Sequence, residues 1–100
     1  MVKYLVMSAV VAAMAGPVAA AGKKEVDCGH QAAVVSAVQQ ARLARVSERK
    51  VADHVAGKAT WPERYNTAIP LVAPWVYQMK LRDVKAQDLA AAWNEMCMAR

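Results

Sequence analysis

The sequence predicts an all-α fold, a small bundle of three to four helices whose first and last members are joined by a disulfide. Three observations predict it. Apolar residues recur at helical spacing through most of the chain beyond residue 27, and no stretch alternates with the period of two that marks a half-buried strand. The two cysteines of the sequence, Cys28 and Cys97, stand near the two ends of that helical portion. No Asn-Gly or Asp-Gly hairpin signal and no internal repeat competes with this reading.

Residues 1–21 read as a cleavable export signal. Met1, Val2 and Lys3 make a one-lysine start, Tyr4 to Ala15 carry no charge, Gly16 and Pro17 interrupt a helix, and the run ending in Ala19, Ala20 and Ala21 offers small side chains for cleavage after Ala20 or Ala21. A membrane anchor competes, because Tyr4 to Ala21 approaches the ~20 apolar residues that span a bilayer. Gly16-Pro17 and the alanine-rich end favour cleavage. Lys24, Glu25, Val26 and Asp27 before Cys28 are unlike the small apolar residues that precede a lipidated cysteine. Residues 22–100 are then expected to form a single small helical domain, periplasmic or secreted, with no stable membrane anchor.

Beyond the signal the chain carries 12 basic and 8 acidic side chains, a net charge of +4. That excess bears on loose attraction to anionic partners rather than on fold. Export argues against nucleic acid and leaves another envelope protein or an anionic envelope component as the expected partner. A domain of this size is marginal in core and needs a further constraint. In an oxidising compartment two cysteines allow one intramolecular pairing. Closing so long a loop contributes about 4 kcal/mol in the chain-entropy model.

Along the domain, Gly22 to Glu25 reads as a mobile charged leader and Asp27 as the N-cap of the first helix. Cys28, Ala32, Val35, Leu43 and Val46 then share one face, with Gln39 as its polar interruption. Ser47 is placed to cap a second helix through Glu48, Val51 and Val55, ended by Gly57 in a left-handed conformation. One helix from residue 28 to 56 is the alternative, and the break is preferred. Thr60, Trp61, Pro62 and Glu63 have the form of a capping box. Tyr65, Ile69, Val72, Val76 and Met79 follow at helical spacing, with Pro70 and Pro74 on the opposite side of the wheel, which predicts one bent helix. Asp83 to Lys85 is expected to turn, and a last helix from Ala86 to about Met98 to bury Leu89, Trp93, Met96 and Cys97.

The order of these features resembles short exported two-cysteine proteins of Gram-negative bacteria: a signal peptide, a cysteine opening the first helix, a proline-leucine pair leading to Val76-Tyr77, and Trp93 four residues before Cys97. The resemblance spans nearly the whole domain and implies a helical fold and an address outside the cytoplasm, but no activity. Small periplasmic acid-stress chaperones and immunity proteins against exported cell-wall amidases are similar in size and helicity. No run of residues here matches a motif of either.

Candidate sites are few. Cys28-Gly29-His30 offers two metal-ligand types, yet His54 is the only other histidine and no C-x-x-C-H run is present, so a bridged cysteine beside an exposed histidine is the simpler reading. Met96-Cys97-Met98, with Met79, offers soft sulfur for copper, but neighbouring residues on a helix diverge by about 100°. Met96 in the core and Met98 at the surface accounts for the pair. A small metal or redox protein using this sulfur is the alternative function. Arg42, Arg45 and Arg49 share a face if the first helix continues past Ser47, and make the best candidate surface for phosphate or carboxylate. Trp61 and Trp75 are candidate partner anchors if exposed and core residues if not. No nucleophile with a base and no carboxylate pair is evident. The expectation is a non-enzymatic, cofactor-free binding protein, of the inhibitor or immunity type or a stress chaperone.

Overall fold

The computed structural model describes the backbone of residues 18–100 and the side chains of residues 22–100. The expected signal over residues 1–21 thus lies outside the described residues, save for the backbone of 18–21, which is helical. The described chain is all-α and contains no strand. It holds five α-helices, α1 (Val18–Leu43), α2 (Glu48–Ala56), α3 (Ile69–Gln78), α4 (Leu81–Ala86) and α5 (Leu89–Ala99), with a 3-10 helix, Glu63–Ala68, before α3. That exceeds the expected three to four because a supposed turn is a helix: Leu81–Ala86 winds into α4 and buries Val84.

α1 is the hub. The other helices pack around it, and it buries Cys28, Val34, Val35, Val38 and Ala41 rather than a single narrow stripe. Val34 and Val38 join its inward surface because neighbours lie on several sides of it. Leu43, expected inside, is 38% exposed at its last turn. Asp27 is not the N-cap: the helix starts upstream at Val18 and takes in the supposed leader 22–25. Freed from capping, the Asp27 carboxylate accepts from Tyr65 Oη at 2.6 Å and from Gln31 Nε2 at 2.9 Å.

α1 ends where a break was preferred. Val46 N–H donates to Ala41 O at 3.0 Å and Arg45 N–H to Arg42 O at 3.1 Å, the paired reversed bonds of a Schellman turn. Its left-handed residue is Arg45, at φ 68°. Ser47 takes the N-cap position of α2 without a side-chain bond, and Val51 and Val55 are buried. Gly57, expected to be left-handed, stays right-handed at φ −69°, and α2 ends by tightening, with Lys58 N–H donating to Val55 O.

The expected capping box does not form. Pro62, extended at ψ 144°, holds the N-cap position, so the Thr60 hydroxyl lies two residues from it. Trp61 instead turns inward and donates from Nε1 to Asn66 Oδ1 at 2.8 Å. The helix that follows is of two kinds joined end to end, 3-10 to Ala68 and α from Ile69, so Pro70 falls in a first α turn where its missing N–H is harmless. Tyr65, Ile69, Val72, Ala73 and Val76 are buried, and Pro70 is exposed. α5 starts three residues later than expected, where the Asp88 carboxylate accepts from Ala91 N–H at 3.0 Å. It buries Leu89 and Cys97 but leaves Met96 52% exposed, while Met98 is half-buried, the reverse of the expected pair. α5 lies along α1, and only the positions facing α1 are covered.

Cys28 and Cys97 form the bridge between α1 and α5, Cα atoms 5.7 Å apart across 69 positions of sequence. Replacing both cysteines by alanine is expected to lower stability by about 4 kcal/mol, with Cys97 and the end of α5 the first part to open. Urea titration and amide exchange check this, and a loss below about 1 kcal/mol would contradict the entropic account.

Candidate functional site

The helices run up and down, so chain segments far apart in sequence meet at each end of the bundle. One end gathers the last turn of α1, the Schellman turn, the first turn of α2, the end of α3 and the start of α4. It holds Arg42, Arg45, Arg49, Lys50, Lys80 and Arg82 against Glu48 and Asp83. With Asp53, which lines one of its concavities, six basic and three acidic side chains leave +3 there, while the six basic and five acidic side chains elsewhere in residues 22–100 leave +1. Most of the net charge of the domain therefore sits at one pole. Asp83 is engaged by Arg82 at 3.5 Å, an exposed pair that contributes little to stability.

Arg45 divides this pole into two open concavities. One, of about 360 Å³, is lined by Arg42, Arg45, Val46, Glu48, Tyr77 and Leu81. The other, of about 720 Å³, is lined by Arg45, Val46, Ser47, Lys50, Asp53 and His54. Ser47 makes no side-chain cap, so the opening N–H groups of α2 add their partial positive charge between the two.

Arg42 and Tyr77 brace the floor. The Arg42 guanidinium lies 5.4 Å from the centroid of the Tyr77 ring, and Nη2 donates to Met79 O at 3.4 Å. Its Nε is buried without a partner. Tyr77 Oη donates to Val46 O at 2.6 Å and so ties α3 to the turn that presents Arg45. Burial pushes the Tyr77 phenol above its ordinary value of 10.0, Arg42 opposes that rise, and Glu48 adds to it.

Arg45 carries the strain of the pole. A side chain in the left-handed region costs about 1–2 kcal/mol, which is why such turns usually hold glycine or asparagine. Arginine there orders a cation at the boundary of both concavities. Strain of this kind concentrates at functional positions.

The structure brings Arg42, Arg45 and Arg49 to the same pole, although not as one helical face, because α1 stops at Leu43. The tryptophans do not join them. Trp61, 8% exposed, closes one end of a separate groove of about 440 Å³ floored by Ala33, Ala37 and Ala41 between α1 and α2. Trp75 is half-buried on α3, its ring tilted against Trp93 at 5.8 Å. His30, expected to be exposed, is half-buried with its ring 4.9 Å from Tyr65. Both cysteine sulfurs are consumed in the bridge, and among the described residues no group of three His, Cys, Asp or Glu side chains is placed to hold a metal. Lys50, Tyr77, Lys80 and Arg82 were not legible as site residues. Lys50 extends an arginine pattern already visible in sequence, whereas the other three arrive only through the return of α3 and α4.

Comparison of the chain with protein-family models, with curated proteins and with solved structures finds no match.

Two predictions follow from this geometry. Arg45→Gly is expected to raise stability by about 0.5–1 kcal/mol in thermal or urea unfolding, since glycine meets no Cβ penalty at φ 68°. Tyr77→Phe is expected to lose about 1 kcal/mol at neutral pH with the bond to Val46 O. It is also expected to flatten the alkaline limb of the stability curve. The folded phenol holds its proton to higher pH than the unfolded one, so the contribution of Tyr77 is complete below pH 10.0 and is lost as pH rises through the raised folded value. Unfolding titrations from pH 8 to 12 in both proteins check the sign.

Proposed function

We propose that this protein is a non-enzymatic binding protein of the bacterial envelope, exported through its N-terminal segment and engaging an anionic component there through the pole built around Arg45. The observation that carries the reading is the segregation of charge. A net of +3 drawn from the ends of three helices and the turn after α1 onto one face creates a field that steers and holds anions, whereas the same charges scattered would only keep the protein soluble. The strained Arg45 supports it, because a helix stop needs no arginine.

The far pole makes the contrast. There Arg64 donates to Tyr65 Oη at 3.1 Å, Tyr65 donates to Asp27, and Lys24 donates to the Arg100 carbonyl, so these charged groups are engaged within the fold by neutral partners. The exposed large apolar side chains among the described residues, Val26, Leu43, Leu71 and Met96, are isolated from one another in sequence and fall on three different helices. That distribution favours charge-led binding over capture of unfolded hydrophobic clients, and within the inhibitor and chaperone alternatives it supports the former.

Titration with polyglutamate and with polyphosphate at low and at physiological salt tests the reading. Both polyanions are expected to bind, to perturb the amide signals of residues 42–50 and 77–83, and to weaken steeply as salt rises. The double substitution Arg45→Glu/Arg49→Glu is expected to reduce affinity at least about tenfold. No binding of either polyanion, or affinity untouched by the double substitution, would refute the assignment.

A further inference from the structure

We propose that the basic pole docks the protein end-on against an anionic phospholipid surface. This rests on the pole being an anion-binding surface and names its partner. The six cations do not converge on one point. They come from the ends of three helices and the turn after α1, and only Arg42, Arg45 and Lys50 line the two open concavities, an arrangement suited to many equivalent anions in a plane rather than to one enclosed ligand.

Apolar side chains are interspersed among them. Leu43 is 38% exposed, and Val46 and Leu81, both half-buried, line the same concavity as Arg42 and Arg45. Cations surrounding a few aliphatic side chains match the composition of surfaces that sit at the headgroup level of a bilayer. A protein partner would call instead for a central aromatic or aliphatic anchor. The one aromatic side chain at this end, Tyr77, has its hydroxyl committed to Val46 O and its ring covered by Arg42. Four of the six cations are arginines, whose planar guanidinium matches the paired oxygens of a phosphate.

The charge distribution also sets the orientation. Screening limits attraction to about 8–10 Å at physiological salt, so a charge contributes when its end of the molecule faces the lipid. End-on approach through this pole presents +3, while the remainder of the domain carries +1. No helix of the described residues is long and apolar enough to cross a membrane, and the contact is peripheral.

The test is co-sedimentation of the disulfide-bonded domain with vesicles of mixed phosphatidylglycerol and phosphatidylcholine, against pure phosphatidylcholine, at low and physiological salt. Binding is expected to the mixed vesicles alone. Each basic residue near an anionic leaflet strengthens binding about fivefold, so Arg45→Gly/Arg49→Gln is expected to weaken it about 25-fold. Both positions are exposed and the glycine relieves strain, so the variant keeps its fold, which its melting temperature verifies. Lys58→Gln/Lys85→Gln removes the same charge away from the pole and is expected to change binding by less than about threefold. Equal losses in the two variants, or equal binding to both vesicle types, overturn end-on docking. Displacement of bound protein by inorganic phosphate at matched phosphate concentration also overturns it, in favour of a discrete phosphate site. If polyglutamate binds and the anionic vesicles do not, the lipid assignment fails while the anion-binding pole stands. If neither binds, both fall.

Discussion

The bond between Cys28 and Cys97 is the constraint on which the rest of this structure depends. α5 is short, and it packs on the hub helix along one side. Leu89 and the sulfur of Cys97 are its buried side chains. Hydrophobic burial of that extent stabilises by a few kcal/mol, well short of the backbone freedom that ordering an eleven-residue helix removes. The crosslink shifts that balance by taking freedom from the unfolded chain, and it does so over 69 residues, where loop-closure entropy is large.

Between the bridge and the far end of the bundle, α1 holds its neighbours by polar side chains that reach across to other segments. Gln31 accepts from Trp93 Nε1 at 3.0 Å, and Gln39 donates to the carbonyls of Val84 at 2.6 Å and Gln87 at 2.8 Å. These bonds satisfy carbonyls at the end of α4 and an indole N–H at the core edge, groups that are costly to leave unpaired. Gln39, a polar break in an apolar pattern when read along one helix, is thus the residue that docks α4. The basic pole is held in the same way, by Tyr77 reaching the carbonyl of Val46, whose N–H closes the Schellman turn.

Much of the fold was legible because helical spacing is a local property. Val51, Val55, Ile69, Val72, Val76, Leu89 and Cys97 were read as core positions and are buried. The misreadings have a common cause. Asp27 and Thr60 have the chemistry of caps, but a cap forms only if the chain turns there. Asp27 found the Tyr65 hydroxyl from another segment, and Pro62 took the turn position that Thr60 would have used. Met96 and Leu43 lie on apolar stripes, yet the tertiary packing leaves both exposed. The same distinction applies to the site. Arg42, Arg45 and Arg49 stood out by spacing, while Lys80 and Arg82 joined them through the reversal of the chain after Gln78.

The sequence alone determined the helical class, the break before Ser47, the pairing of its two cysteines and the size of its charge excess, because each follows from composition, spacing or simple counting. Only the tertiary structure decided that the left-handed residue is Arg45 rather than Gly57, and that most of the excess charge gathers at a single end. The Schellman turn is closed by bonds within residues 41–46, but Arg45 lacks the glycine or asparagine by which such a turn is recognised, whereas Gly57 carries that signal and does not use it. A charged pole depends on how separate segments meet, and no local pattern of residues encodes that.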